Sequence, residues 1–248
     1  VRLTLIARSI KLGYRVGETI CLDESTLRER LAKSSHDRFN DDDPIAAHDL
    51  VDCVIGDDPD LLRTRMRRAA ASLGTKRFVS ELAAPFLHEI GEAWAAGALD
   101  VQQEHVATDI LQSQIHLMNS AYDGTRGGPT IVLATLPREY HGLGLQLVGL
   151  YLAASGAVPR VLGTDTPTAQ IALAAKALHA DAVGLSISAA SSSDAAVNHL
   201  QALVDVLDGS VALWLCGEGA SRITSFKKRA VCLNRWDEID DALIPLGR

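Results

Sequence analysis

The stretch "PREYHGLG", Pro137 to Gly144, sets Glu139 two residues before His141. A carboxylate that near can accept the proton of one imidazole nitrogen, which fixes the tautomer and makes the other nitrogen a better metal ligand. Gly142 and Gly144 follow, and their missing side chains would let a large flat ligand approach the backbone. The plainer reading of the same residues is an ordinary loop histidine beside an incidental acid. Spacing alone does not separate the two.

Two later stretches carry small residues of the same kind. "GLSIS" places Ser186 and Ser188 one strand period apart, so both face one side, and "CGEGA" supplies Gly217 and Gly219. Each is weak alone, because small residues often finish parallel strands. With His141 they describe three strand ends stripped of bulk and offering hydroxyl or backbone donors, which is a slot rather than a flat surface. A third set lies upstream in "WAAGALDVQQEH". Trp94 closes one helix, Gly97 permits a turn, and Glu104 and His105 fall in the first turns of the next. These three either meet over something bound or make a buried tryptophan above a polar corner.

The elements that would hold these residues follow from the pattern. Residues 1–43 read as an adapter of short helices broken at Gly13 and Gly17 and closed by the acidic run "NDDDP". Residues 44–123 have helical apolar spacing, with helices expected near 44–55, 59–73, 76–96 and 101–122. Pro44, Asp58 before Pro59, and Asp100 with Gln103 three residues on mark the starts. Phe78, Leu82, Phe86, Ile90 and Trp94 form one stripe, which Pro85 should kink. Four helices on short connections favour an antiparallel bundle.

Residues 124–129, "GTRGGP", read as a linker, and from 130 to 248 the pattern alternates. Strands are expected at 130–136, 158–163, 182–188, 211–216 and 230–233, with helices near 142–155, 167–179, 193–207, 219–227 and 236–244. That is a five-stranded parallel sheet covered on both faces, of Rossmann-like or flavodoxin-like type. The fold class is therefore α/β plus all-α, a four-helix bundle followed by the α/β domain. Such sheets bind ligands at the carboxyl ends of their strands, where strand order reverses.

Composition narrows the function. The 248 residues are 47% hydrophobic, ample for real cores, while aromatics at 4% leave those cores to Ala, Leu, Val and Ile. A net charge of -7 argues against non-specific nucleic-acid binding, which needs a basic surface. The one basic cluster, "RTRMRR" at Arg63 to Arg68, reads as a solvated helix face. Cys21, Cys53, Cys216 and Cys232 are scattered without CxxC spacing, which suits free thiols in a reducing compartment. No signal-peptide pattern or membrane span is evident, so a cytoplasmic protein is expected.

Taken together, the motifs resemble those of a known family. "EYHGLG" (Glu139, His141, Gly144) is similar to the E-x-H-x-x-G variant of the cobalamin-binding motif. Trp94 with Glu104 and His105 resembles the W-x9-E-H signature of the helical cap in CarH/LitR-like light-sensing regulators of the MerR type. "LIARSIKLGYRVGE" resembles the segment after the winged helix in such regulators. The resemblance implies an adenosylcobalamin cofactor with His141 as the lower axial cobalt ligand and Glu139 as its partner. It implies that Gly144, Ser186, Ser188, Gly217 and Gly219 make room for the nucleotide tail and its base. Trp94, Glu104 and His105 would pack over the upper ligand.

Two departures shape the expected function. The residue after the tryptophan is Ala95, where the best-known light-sensing repressor has a histidine, and this brings in the photocobilin-type relatives that also hold a bilin such as biliverdin. The chain as given shows no winged helix, so output would pass through a homo-oligomer change or a regulatory partner protein rather than direct nucleic-acid or membrane binding. A light sensor, not an enzyme, is the first reading. A corrinoid carrier for a methyltransferase is the second, although carriers usually show D-x-H-x-x-G. A nucleotide-binding α/β module ranks last, since G-x-G-x-x-G and a Walker lysine are missing.

Overall fold

The structure is a computed structural model that describes residues 2–11, 13–37, 44–124, 127–191, 193–226 and 228–247. Asn40 to Asp43 of the acidic run and Thr125 and Arg126 of the linker lie outside the described residues. The chain divides into two compact units, Val1–Leu117 and Met118–Arg248.

Among the described residues the first unit is helical. Its elements are α1 (Arg2–Lys11), α2 (Val16–Ile20), α3 (Glu24–Asp37), α4 (Ala47–Ile55), α5 (Pro59–Arg77), α6 (Ala84–Ala95) and α7 (Val101–Asn119). Caps fix the starts. Asp58 accepts the Leu61 N–H at 2.9 Å and Pro59 takes the first helical position, where its missing N–H costs nothing. At α7 the Gln103 side chain accepts the Asp100 N–H at 3.1 Å. The same amide donates to the Val54 carbonyl at 3.1 Å, tying α7 to the end of α4. Arg28 of α3 donates to the Ile55 carbonyl at 3.2 Å and lies 3.5 Å from Asp100, so α3 joins that corner. Asp100 therefore faces an arginine, and its cap is made by the glutamine half alone.

The regular course of α5 breaks at Gly74, whose φ of +70° only glycine adopts freely. Pro85 disturbs the following helix, and it does so upstream of itself. Its missing N–H removes the bond to the Glu81 carbonyl, and Phe78–Ala83 widens into a π-helical turn in which Ala84 N–H reaches back to Val79. The stripe survives this. Phe78, Leu82, Phe86 and Ile90 are all 2% exposed or less, yet Trp94, the next in line, is 52% exposed.

The second unit contains β1 (Thr130–Thr135), α8 (Leu143–Ala154), β2 (Val158–Gly163), α9 (Thr168–Ala177), β3 (Ala182–Ser186), α10 (Ser193–Val204), β4 (Ala212–Cys216), β5 (Val231–Leu233) and α11 (Trp236–Leu243). All pairings are parallel and the strand order is β2-β1-β3-β4-β5. This is the flavodoxin-like order, whose reversal lies between β1 and β3. Alternate strand residues Val132, Ala134, Val183, Leu185, Leu213 and Leu215 meet Ile171 of α9 and Leu200 and Leu203 of α10 in one core. On the opposite face α8 lies close enough that a Cβ at Gly149 would touch Val161 at 3.4 Å and Leu133 at 3.5 Å. Tyr151 of α8 and Ser155, which caps that helix, both donate to Asp240, at 2.9 Å each, and anchor α11 beside it.

One expected helix is missing. Among the described residues of 219–226 the chain makes a 3-10 turn, Ala220–Arg222, and then extends at Ile223, whose side chain is buried in the sheet core. Burying that β-branched residue takes precedence over continuing a helix. The four cysteines are free thiols, and burial pushes the Cys53 thiol up to about 11 despite the nearby Arg65 guanidinium. Among the described residues no helix is long and apolar enough to cross a membrane.

Candidate functional site

The loop after β1 and the loop after β3 flank the strand-order reversal, and both carry residues singled out above. Two turns shape the first. Thr135, fully buried at the end of β1, donates to the Glu139 carbonyl at 2.6 Å and accepts the Asp165 N–H at 2.9 Å. The Asp165 carboxylate accepts the Arg138 N–H at 2.7 Å. Arg138 and Asp165 both hold positive φ, 68° and 51°. Such conformations persist in non-glycine residues only where neighbours enforce them. Here the loops after β1 and β2 lock each other, and the lock presents Glu139 inward.

Glu139 is 5% exposed and its carboxylate is surrounded by donors. One oxygen accepts the His141 backbone N–H at 3.0 Å and meets the ring Nδ1 at 2.6 Å. The other accepts the Ser188 N–H at 3.1 Å, the Ser188 hydroxyl at 2.6 Å and the Ser191 hydroxyl. Burial pushes this carboxyl up, but the bonds from Ser188, Ser191 and His141 outweigh it and hold it at about 2. An ionised carboxylate requires the proton on Nδ1, so Nε2 of a neutral ring carries a free lone pair. The His141 side chain is 68% exposed. The arrangement is an oriented imidazole with one nitrogen committed and the other open, which is the form a metal's axial ligand needs.

The predicted site residues divide by role. Glu139, His141 and Ser188 come together. Ser188 stands beyond the end of β3 and works as a holder of Glu139, with its hydroxyl also 3.3 Å from His141 Nδ1. Ser186 ends the strand and faces Gly144, where a Cβ would sit 3.6 Å from the serine oxygen in ordinary contact. A Cβ at Gly142 would press on the Thr164 methyl at 2.9 Å. Gly217 and Gly219 lie against the backbone of the β3 loop. A Cβ at Gly217 would lie 2.5 Å from the Ile187 carbonyl oxygen and one at Gly219 2.3 Å from that of Ser188. The space they leave is filled by the β3 loop itself.

In the helical unit Trp94 and the Glu104–His105 pair flank the α6–α7 turn. Gly97 N–H closes that turn onto the Trp94 carbonyl at 2.9 Å with a φ of +68°. His105 Nε2 lies 3.4 Å from a Glu104 oxygen, and the histidine is 73% exposed. The indole is exposed, not buried over a polar corner. Ser191, Thr135 and Asp165 are site residues that spacing did not indicate, although all three are of types that readily bond loop backbone.

Comparison with known proteins gives this geometry a context. Residues 46–117 match the family model described as B12 binding domain. The chain is 33% identical over 152 residues to the HTH-type transcriptional repressor CarH of Myxococcus xanthus, covering 60% of this chain and 50% of that protein. It is 31% identical over 102 residues to the HTH-type transcriptional repressor CarA of the same organism, covering 41% of this chain and 34% of the relative. The chain thus spans about half the length or less of these relatives. The structure is similar to that of the Methanosarcina barkeri monomethylamine corrinoid protein, with a TM-score of 0.61 at 15% identity, covering 79% of this chain and 95% of that one. That likeness shows the fold alone, a five-stranded parallel sheet with helices. Cobalamin binding is the function these findings support.

Proposed function

We propose that the chain is a cobalamin-dependent light sensor in which His141 is the lower axial cobalt ligand. The single observation that carries the reading is the Glu139–His141 pair at the strand-order reversal, with Nδ1 held at 2.6 Å and Nε2 free. Bound adenosylcobalamin would supply a cobalt–carbon bond that light breaks. The residues of this chain supply everything else. Glu139 keeps the imidazole in the metal-binding tautomer, and Ser188 and Ser191 keep Glu139 ionised. Gly144 leaves room beside Ser186 for part of the corrinoid. In the helical unit the Trp94 indole is left exposed at the end of a buried stripe, where it is available to a bound ligand. Loss of the ligand that light releases would be passed on to a partner or a second copy of the chain. No turnover is part of this role, and a cytoplasmic location suits it.

The test is to load the purified chain with adenosylcobalamin in darkness, illuminate it, and follow absorption and elution volume. A sensor changes both. A chain that keeps its size and instead accepts a methyl group from a donor enzyme is a corrinoid carrier. Biliverdin added in a parallel sample shows whether a second chromophore is taken up.

A further inference from the structure

The β3 loop, Ser188 to Ser191, has little of its own to hold it. Its sequence is Ser-Ala-Ala-Ser, Ala189 and Ala190 are exposed, and the Ser191 N–H to Ser188 carbonyl bond at 3.2 Å closes a single turn. Yet this loop delivers two hydroxyls and one N–H to a buried carboxylate. A side chain from a distant turn accounts for its order. Nη2 of Arg222 donates to the carbonyls of Ser188 at 3.2 Å, Ala189 at 2.7 Å and Ser191 at 3.3 Å. The carbonyl oxygens face the guanidinium, while the Ser188 N–H and the Ser188 and Ser191 hydroxyls face Glu139. The loop is a set of aligned dipoles stretched between a cation and an anion, and each end orients it for the other.

We infer that Arg222 is a positioning residue for His141, acting through the Ser188–Ser191 loop and Glu139. This rests on the reading of His141 as the cobalt ligand, but the relay from Arg222 to the Glu139 pocket stands independently of it. Gly219 belongs to the same device. Its Cβ would lie 3.1 Å from Arg222 Nη2 and 2.3 Å from the Ser188 carbonyl oxygen, so only glycine lets the clamp close.

The test uses the full chain as wild type, Arg222→Ala and Arg222→Lys, with two readouts. The first needs no cofactor and is amide hydrogen exchange at Ser188 and His141, the two N–H groups that bond Glu139. Arg222→Ala should speed both by about tenfold or more while the strand amides of Leu133 and Leu185 keep their protection. Because all three carbonyls meet one nitrogen, the lysine ammonium should restore part of it. The second readout is the cobalt(II) resonance spectrum of cobalamin-loaded protein carrying isotopically labelled histidine, in which Arg222→Ala should show a smaller histidine-ligated fraction. Unchanged exchange at Ser188 and His141 overturns the proposal. Faster exchange with an unaltered histidine-ligated fraction overturns the positioning of His141. If wild type itself shows no histidine on cobalt while exchange responds as stated, the relay holds and the axial-ligand reading fails.

Discussion

Glu139 and His141 are joined twice through one carboxylate oxygen, at 3.0 Å to the backbone N–H and 2.6 Å to the ring Nδ1. The double attachment fixes both where the histidine sits and which of its nitrogens is free. His141→Ala should therefore abolish histidine ligation of cobalt while the fold persists, because the side chain is largely exposed. Glu139→Ala keeps the ligand and loses its orientation, and should weaken cobalamin binding by about 10–100-fold. Equilibrium titration in the dark, read by absorption, measures both.

The same carboxylate makes stability depend on pH. Its value is about 2 in the folded chain against an ordinary 4.5, burial being outweighed by the bonds from Ser188, Ser191 and His141. A folded value below the unfolded one means that the stabilisation is complete above about 4.5 and is lost as pH falls toward about 2. Glu139→Gln, which cannot ionise, should be less stable than wild type at neutrality by about 1.5–3 kcal/mol. The gap between the two should close on acidification. Urea midpoints at pH values across that window check the prediction.

Glycines of the two loops should separate into those the fold needs and those a ligand needs. Gly219→Ala drives a methyl group into the Ser188 carbonyl oxygen, and Gly217→Ala adds an unfavourable φ of +89° to a clash with Ile187. Each should cost about 1–3 kcal/mol without any cofactor present. Gly144 lies in the first turn of α8, where a Cβ meets Ser186 at ordinary contact distance. Gly144→Ala should leave the empty protein as stable or up to about 1 kcal/mol more so, since alanine is the better helix former. It should nevertheless lose cobalamin affinity. Thermal melts with and without cobalamin distinguish the two classes.

What was legible in the sequence follows the range over which each feature is determined. The Glu139–His141 pair is a two-residue relationship, and the strands and helices around it follow from local periodicity, so both were readable. Ser191, Asp165 and Arg222 reach the site from other loops, and nothing local in their surroundings announces which carbonyl or carboxylate they will meet. Gly217 and Gly219 were visible as an absence of bulk, but what fills that absence is decided by the neighbouring strand's loop. The helix expected over 219–227 failed for a similar reason. The burial of Ile223 in the sheet core is a tertiary demand that the local pattern does not express.

Trp94 allows the sharpest separation of folding from function in the helical unit. It continues the stripe of Phe78, Leu82, Phe86 and Ile90, so pattern alone would assign it the same core duty. The structure does not, because Ile90 is 2% exposed and Trp94 52%. Ile90→Ala should cost about 2–5 kcal/mol, the usual toll of emptying a filled core position. Trp94→Ala removes a larger side chain yet should change stability by no more than about 0.5 kcal/mol, since exposed groups away from special features contribute little. If the indole shelters the upper ligand, its loss must appear elsewhere, as weaker retention of adenosylcobalamin in the dark and a smaller change in elution volume on illumination. A Trp94→Ala protein with a much lower melting temperature would mean that the indole is a core residue after all. Intact melting with normal dark retention would remove it from the cofactor site.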